Sequence, residues 1–98
     1  MTTHLQTAKQ TLEQLKPLLI TRYHVNMLGL FGSIVRDDFS PKNSDVDIVV
    51  DFSQPIGIEF IDMSELLEKE LNRKVDVVSR KGLKEKYFNA IEKEILYV

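Results

Sequence analysis

Apolar side chains recur at Leu5, Ala8, Leu12, Leu15 and Leu19, in alternating steps of three and four that lay one buried stripe along a helix. Thr3, with Gln6 three residues later, fits a cap at its start. Pro17 lacks a backbone donor and crowds the preceding turn, so a break is predicted there, with a short second turn starting at the proline on the same stripe. Beyond it the period changes. The run from His24 to Phe31 is β-compatible and mostly apolar, which predicts a largely covered strand ending at Gly32. A polar loop, Phe39-Ser40-Pro41-Lys42-Asn43-Ser44, leads into a second strand from Asp45 to Phe52. Gln54-Pro55-Ile56-Gly57 ends that pattern, and Phe60, Met63, Leu67 and Leu71 return at helical spacing until Asn72. Val75 to Ser79 reads as a short strand of β-branched residues, and Leu83, Tyr87, Ile91 and Ile95 mark a last amphipathic helix.

The order helix, strand, strand, helix, strand, helix predicts an α/β (α+β) fold, a small mixed β-sheet covered by helices. The first two strands are expected to be antiparallel neighbours, because their connection is a loop with at most a short helical turn. A chain of 98 residues supports one hydrophobic core, so residues 1–98 are expected to form a single domain without repeats or linkers. Leu5, Leu12, Leu28, Phe31, Ile48, Val77, Leu83 and Ile91 are the expected members of that core.

Composition narrows the chemistry. Hydrophobic residues make up 43% and charged residues 29%, an ordinary globular balance. With 13 Lys and Arg against 15 Asp and Glu, the net charge of -2 gives no general attraction to nucleic acid or anionic membrane, so no direct nucleic-acid binding is predicted and any phosphate recognition must be local. The absence of cysteine excludes disulfides and thiolate zinc sites. No apolar run reaches membrane-spanning length and Met1 leads into a polar stretch, which makes a cytoplasmic protein the expectation.

Three features at the predicted strand ends do not look like core packing. Asp45 and Asp47 are two apart in a strand, so their side chains leave one face about 6–7 Å from each other while Val46 and Ile48 go to the other. Without a cation they repel; with one they form oxygen ligands of the kind magnesium takes. Asp76, between Val75 and Val77, either reaches the same metal from an adjacent strand or lies on the wet face of an edge strand. Gly32-Ser33 supplies the complementary half. A glycine straight after an apolar strand permits a tight turn and close backbone approach, and Ser33 can either offer hydroxyl and amide to phosphate or simply cap a short helix over residues 33–38. Arg36 can pair with Asp38 or reach phosphate oxygens, and Ser44 can orient the loop or donate to a triphosphate.

Taken jointly, Gly32-Ser33-Ile34-Val35-Arg36, Ser44-Asp45-Val46-Asp47-Ile48-Val49-Val50 and Val75-Asp76-Val77-Val78 resemble the polymerase-beta-type nucleotidyltransferases, specifically their minimal antitoxin-like branch of protein adenylyltransferases. The resemblance covers nearly the whole chain and implies the minimal nucleotidyltransferase fold. It implies ATP as the nucleotide donor, held by Gly32 and Ser33 with Arg36 at a commonly basic position, and magnesium bound by Asp45, Asp47 and Asp76, with Asp76 near the acceptor hydroxyl. Val35 and Asp37 depart from the family, standing where many relatives carry small residues on either side of the arginine. The resemblance further implies a partner, a cognate HEPN ribonuclease toxin, and transfer of AMP to a hydroxyl of it, a tyrosine in some members. A non-catalytic antitoxin that neutralises its partner by covering a surface is the competing expectation.

The remaining polar and aromatic residues read as structure. His4 and His24 are far apart and in no ligand spacing. Tyr23, Tyr87 and Tyr97 fit core or interface positions, and Lys81, Lys84, Glu85 and Lys86 a solvated helical face. The apolar end of the last helix, with Leu96 and Tyr97, is a candidate interface.

Overall fold

The computed structural model describes residues 3–36 and 38–98. Four strands, β1 (Val25–Phe31), β2 (Val46–Phe52), β3 (Val75–Ser79) and β4 (Leu96–Tyr97), form one mixed sheet in the order β3-β2-β1-β4. β1 runs antiparallel to β2 and to β4, whereas β2 and β3 are parallel. The four-residue α2 (Ser33–Arg36) lies between β1 and β2, and α3 (Glu59–Leu71) makes the crossover to β3 that a parallel pair requires. The expected α/β architecture and antiparallel first pair are therefore present.

One face of the sheet carries the main core. Val46, Ile48 and Val50 point alternately into it from β2 and meet Leu5, Leu12 and Leu19 of α1 (Thr3–Tyr23) and Met63 and Leu67 of α3, all essentially inaccessible to solvent. Leu28 and Val77 also join this cluster, as expected, while Phe31, Leu83 and Ile91 are only partly buried and stay outside it. Val49 and Phe88 are buried away from it.

Two expectations about helices fail for identifiable reasons. α1 runs unbroken through Pro17. The proline sits at an exposed position, so the unbonded carbonyl one turn earlier can face water, while buried Leu12 on one side and Leu19 and Tyr23 on the other pin the helix to the core. Pro17→Ala is expected to stabilise the chain by about 1–2 kcal/mol, the helical penalty of proline less the loss of its restraint on the unfolded chain; a urea titration measures it. The capping side chain of Thr3 lies outside the described residues.

The predicted last helix is shorter than its pattern. A 3-10 turn (Arg80–Gly82) precedes α4 (Glu85–Glu92), and Leu96 and Tyr97 leave the helix to become β4. Phe88 is the buried residue of α4, with the Arg80 guanidinium 3.6 Å from its ring centroid, whereas Tyr87 is exposed. Gly29 explains the change at the end. A Cβ there would come within 2.5 Å of Ile95 Cγ2, so the bare backbone of β1 makes room for the C-terminal segment to cross the sheet and pair with Gly29 and Leu30.

Candidate functional site

The second strand begins at Val46, one residue later than expected, which leaves Asp45 exposed in the loop and Asp47 as the first carboxylate held by the sheet. Asp47 pairs across β1 with Phe31 and across β3 with Asp76. In-register neighbours of a sheet present their side chains to the same face. The Asp47 side chain extends over Gly32. This glycine has φ +79°, and a Cβ on it would collide with Asp47 Oδ2 and lie 3.0 Å from Cγ. Strand β1 is thus followed by a residue whose missing side chain makes space for the carboxylate.

The Gly32 turn opens α2, whose residues Val35 and Arg36 donate their amides back to the Gly32 carbonyl at 3.0 and 3.1 Å. Ser33 is half-buried at the first position of α2. Val35 packs against the main core, so its bulk is absorbed there. Asp37 lies outside the described residues. Ser44 orients its loop: its Oγ accepts the Ser40 amide at 2.9 Å, and its own amide donates to the Ser40 carbonyl at 2.8 Å, which leaves the hydroxyl proton free to donate.

Arg36 makes a contact that the sequence did not suggest. Its Nη1 donates to both carboxylate oxygens of Glu94, at 3.1 and 3.3 Å, and the Gly32 amide donates to Glu94 Oε1 at 3.0 Å. Asp38 stands farther off, 3.8 Å from Arg36 Nε. Glu94 was invisible because it falls in the register of an amphipathic helix that in fact ends before it. The available signal was Gly29, a glycine within an apolar strand, which marks a close approach by another segment.

The electrostatics follow from this crowding. Burial, then the negative charges of Asp76 and Asp45, push the Asp47 carboxyl from 3.8 up to about 6; Arg36 opposes the shift and Glu94 adds to it. Among the described residues, no three His, Asp or Glu side chains are grouped closely enough to hold a metal ion as they stand. Asp45 and Asp76 nonetheless both act on Asp47 through their negative charge, and hard oxygen donors of this kind are ones a divalent cation such as magnesium takes. His4 serves structure, with Nδ1 3.2 Å from Arg73 Nη2 and its ring tilted against Phe39.

Known proteins match this chain over almost its full length. The nucleotidyltransferase domain profile matches residues 8–97. The protein adenylyltransferase MntA of Thermococcus cleftensis is 36% identical over 99 residues, covering 93% of this chain and 99% of the relative. The chain belongs to the polymerase-beta-type nucleotidyltransferases, in their minimal MntA-like branch. A Methanocaldococcus jannaschii protein assigned as a protein adenylyltransferase is 35% identical over 94 residues, covering 92% of this chain and 93% of the relative. The solved structure of a protein assigned as a minimal nucleotidyltransferase superposes with a TM-score of 0.79 at 26% identity, covering 94% of this chain and 93% of that one. A chain of the MntA–HpeT toxin–antitoxin crystal structure shares the fold with a TM-score of 0.69 at 16% identity, covering 92% of this nucleotidyltransferase and 70% of that chain. Membership of this family supports an enzymatic, nucleotide-using role. No helix among the described residues is long and apolar enough to cross a membrane.

Proposed function

We infer that this nucleotidyltransferase transfers AMP from ATP to a hydroxyl of a partner protein, a cognate HEPN ribonuclease toxin, and that the acceptor is a tyrosine. The observation that carries the reading is the alignment of Asp47 with Asp76 beside the Gly32 turn, a turn whose amide donates to an anion next to a cluster of acids. The adenylyltransferase name of the 36%-identical Thermococcus relative and the toxin–antitoxin pairing of the MntA–HpeT structure support the choice of donor and partner.

In this reading Gly32, Ser33 and Arg36 hold the β and γ phosphates, and Ser44 keeps the loop before Asp45 in place. Asp45, Asp47 and Asp76 would hold magnesium, which when bound supplies the positive charge that offsets the triphosphate and the departing pyrophosphate. The acceptor hydroxyl oxygen attacks the α-phosphorus, the bond from that phosphorus to the pyrophosphate oxygen breaks with its electron pair going to pyrophosphate, and the hydroxyl proton passes to the Asp76 carboxylate or to water. Asp76, exposed on the outermost strand, stands where an incoming acceptor can reach it.

Two measurements test this. Calorimetry should show ATP binding much more tightly with magnesium than without it, because the acids reject the triphosphate until a cation intervenes; equal affinity in both titrations would defeat the metal-bridged site. Incubating the chain with the cognate toxin, ATP and magnesium should raise the toxin's intact mass by one or more AMP units. Suppression of the toxin with no mass change would favour the steric antitoxin.

A further inference from the structure

The C-terminal segment delivers a carboxylate to the donors that the nucleotide reading assigns to phosphate. Ile95 seats against Gly29, Leu96 and Tyr97 pair with β1, the Val98 amide donates to the Leu28 carbonyl at 2.9 Å, and Lys16 Nζ donates to the Val98 oxygen at 2.7 Å. This strap fixes the backbone on the C-terminal side of the residue that matters. Glu94 immediately precedes it, its side chain only 24% exposed, and Oε1 accepts from the Gly32 amide and the Arg36 guanidinium together. One anionic oxygen between a turn amide and an arginine is the arrangement a phosphate oxygen takes.

We propose that Glu94 is an internal competitor for the triphosphate: its carboxylate occupies the Gly32 amide and Arg36 guanidinium until an incoming nucleotide displaces it. The proposal rests on the nucleotide site described above. A single carboxylate satisfies the donors in the free protein and would leave them unpaired only at the moment of exchange. It is also the weaker ligand, since a triphosphate brings more charge and more oxygens to the same two groups. Displacement needs a rotation of the Glu94 side chain alone, because the strap that carries it is held through backbone pairing and Ile95. Glu94 therefore sets the affinity threshold for nucleotide without contributing to the chemistry.

The experiment compares wild type with Glu94→Gln, which keeps the shape and removes the charge, and with Asp38→Asn, which removes an acid beside Arg36 without touching Gly32. In amide-resolved NMR without nucleotide, the Gly32 proton should shift and exchange faster in E94Q than in wild type. An unchanged Gly32 amide overturns the proposal. Calorimetric titration with magnesium-ATP and with inorganic tripolyphosphate should show E94Q binding each roughly tenfold more tightly, the scale of one charge-assisted hydrogen bond no longer in competition. D38N should gain no more than about twofold, as expected of an exposed charge. Equal affinities of wild type and E94Q, or an equal gain in D38N, overturn the competitor role while the nucleotide site stands. No binding to any of the three chains removes the nucleotide reading and the proposal with it. Should E94Q fail to fold, Glu94→Asp, which keeps the charge but shortens its reach, is expected to move affinity in the same direction.

Discussion

Asp47→Asn is expected to abolish AMP transfer while making the isolated chain more stable. The loss of transfer should exceed the roughly 10–100-fold that removing an outer partner of a metal ligand costs, since Asp47 is proposed as a ligand itself. The gain in stability has a separate origin. With its folded pKa near 6 against an ordinary 3.8, Asp47 holds a proton more readily folded than unfolded. Its contribution is full below about pH 4, where both states are protonated, and is lost as the pH rises through 6. Asparagine carries no charge to lose. The variant should therefore match wild type below pH 4 and exceed it above pH 6 by about 1 kcal/mol, a figure reduced from the full shift because solvent screens a half-buried carboxylate. Urea titrations at pH 4 and pH 8, run beside the toxin mass assay, separate the two effects. Equal AMP transfer by both chains would remove Asp47 from the chemistry, and a D47N chain less stable than wild type at pH 8 would contradict the crowding of acids around it.

Gly32→Ala is expected to damage fold and site together. The residue sits at φ +79°, a left-handed conformation that strains alanine, and the new methyl would press into the Asp47 carboxylate. Strain and overpacking each cost about 1–3 kcal/mol, so a loss of about 2–6 kcal/mol is expected in urea, along with loss of magnesium-ATP binding in whatever fraction remains folded. Strand register pins the Asp47 backbone between Phe31 and Asp76, which leaves rotation of its carboxylate as the way to relieve the contact. A G32A chain of wild-type stability would mean that the turn has another conformation open to it.

Much of this was legible in residue pattern because one rule governed each stretch. The two-residue period of Val46, Ile48 and Val50 assigned the intervening Asp47 to the opposite face, and the β-branched run around Asp76 marked a strand that could lie beside it. Packing decided what the pattern could not. Pro17 reads locally as a break, yet the buried residues on both sides hold α1 together. Leu83, Tyr87, Ile91 and Ile95 keep a helical period past the end of the helix, because an open strand edge beside Gly29 captures Leu96 and Tyr97 instead. Glu94 gained its position only through that capture. Its contact with Gly32 spans 62 residues of sequence, a pairing that no local period can announce.

The position of β3 at the rim of the sheet gives Asp76 a second consequence. An outermost strand offers unpaired backbone to any other extended chain, and Val75, Val77 and Val78 are the residue types that favour such self-association. The exposed carboxylate in their midst makes stacking of one molecule's rim on another's electrostatically costly. The acid proposed to face the acceptor hydroxyl thus also disfavours pairing of one sheet rim with another, and a variant that replaced it with an apolar residue is expected to trade activity for aggregation.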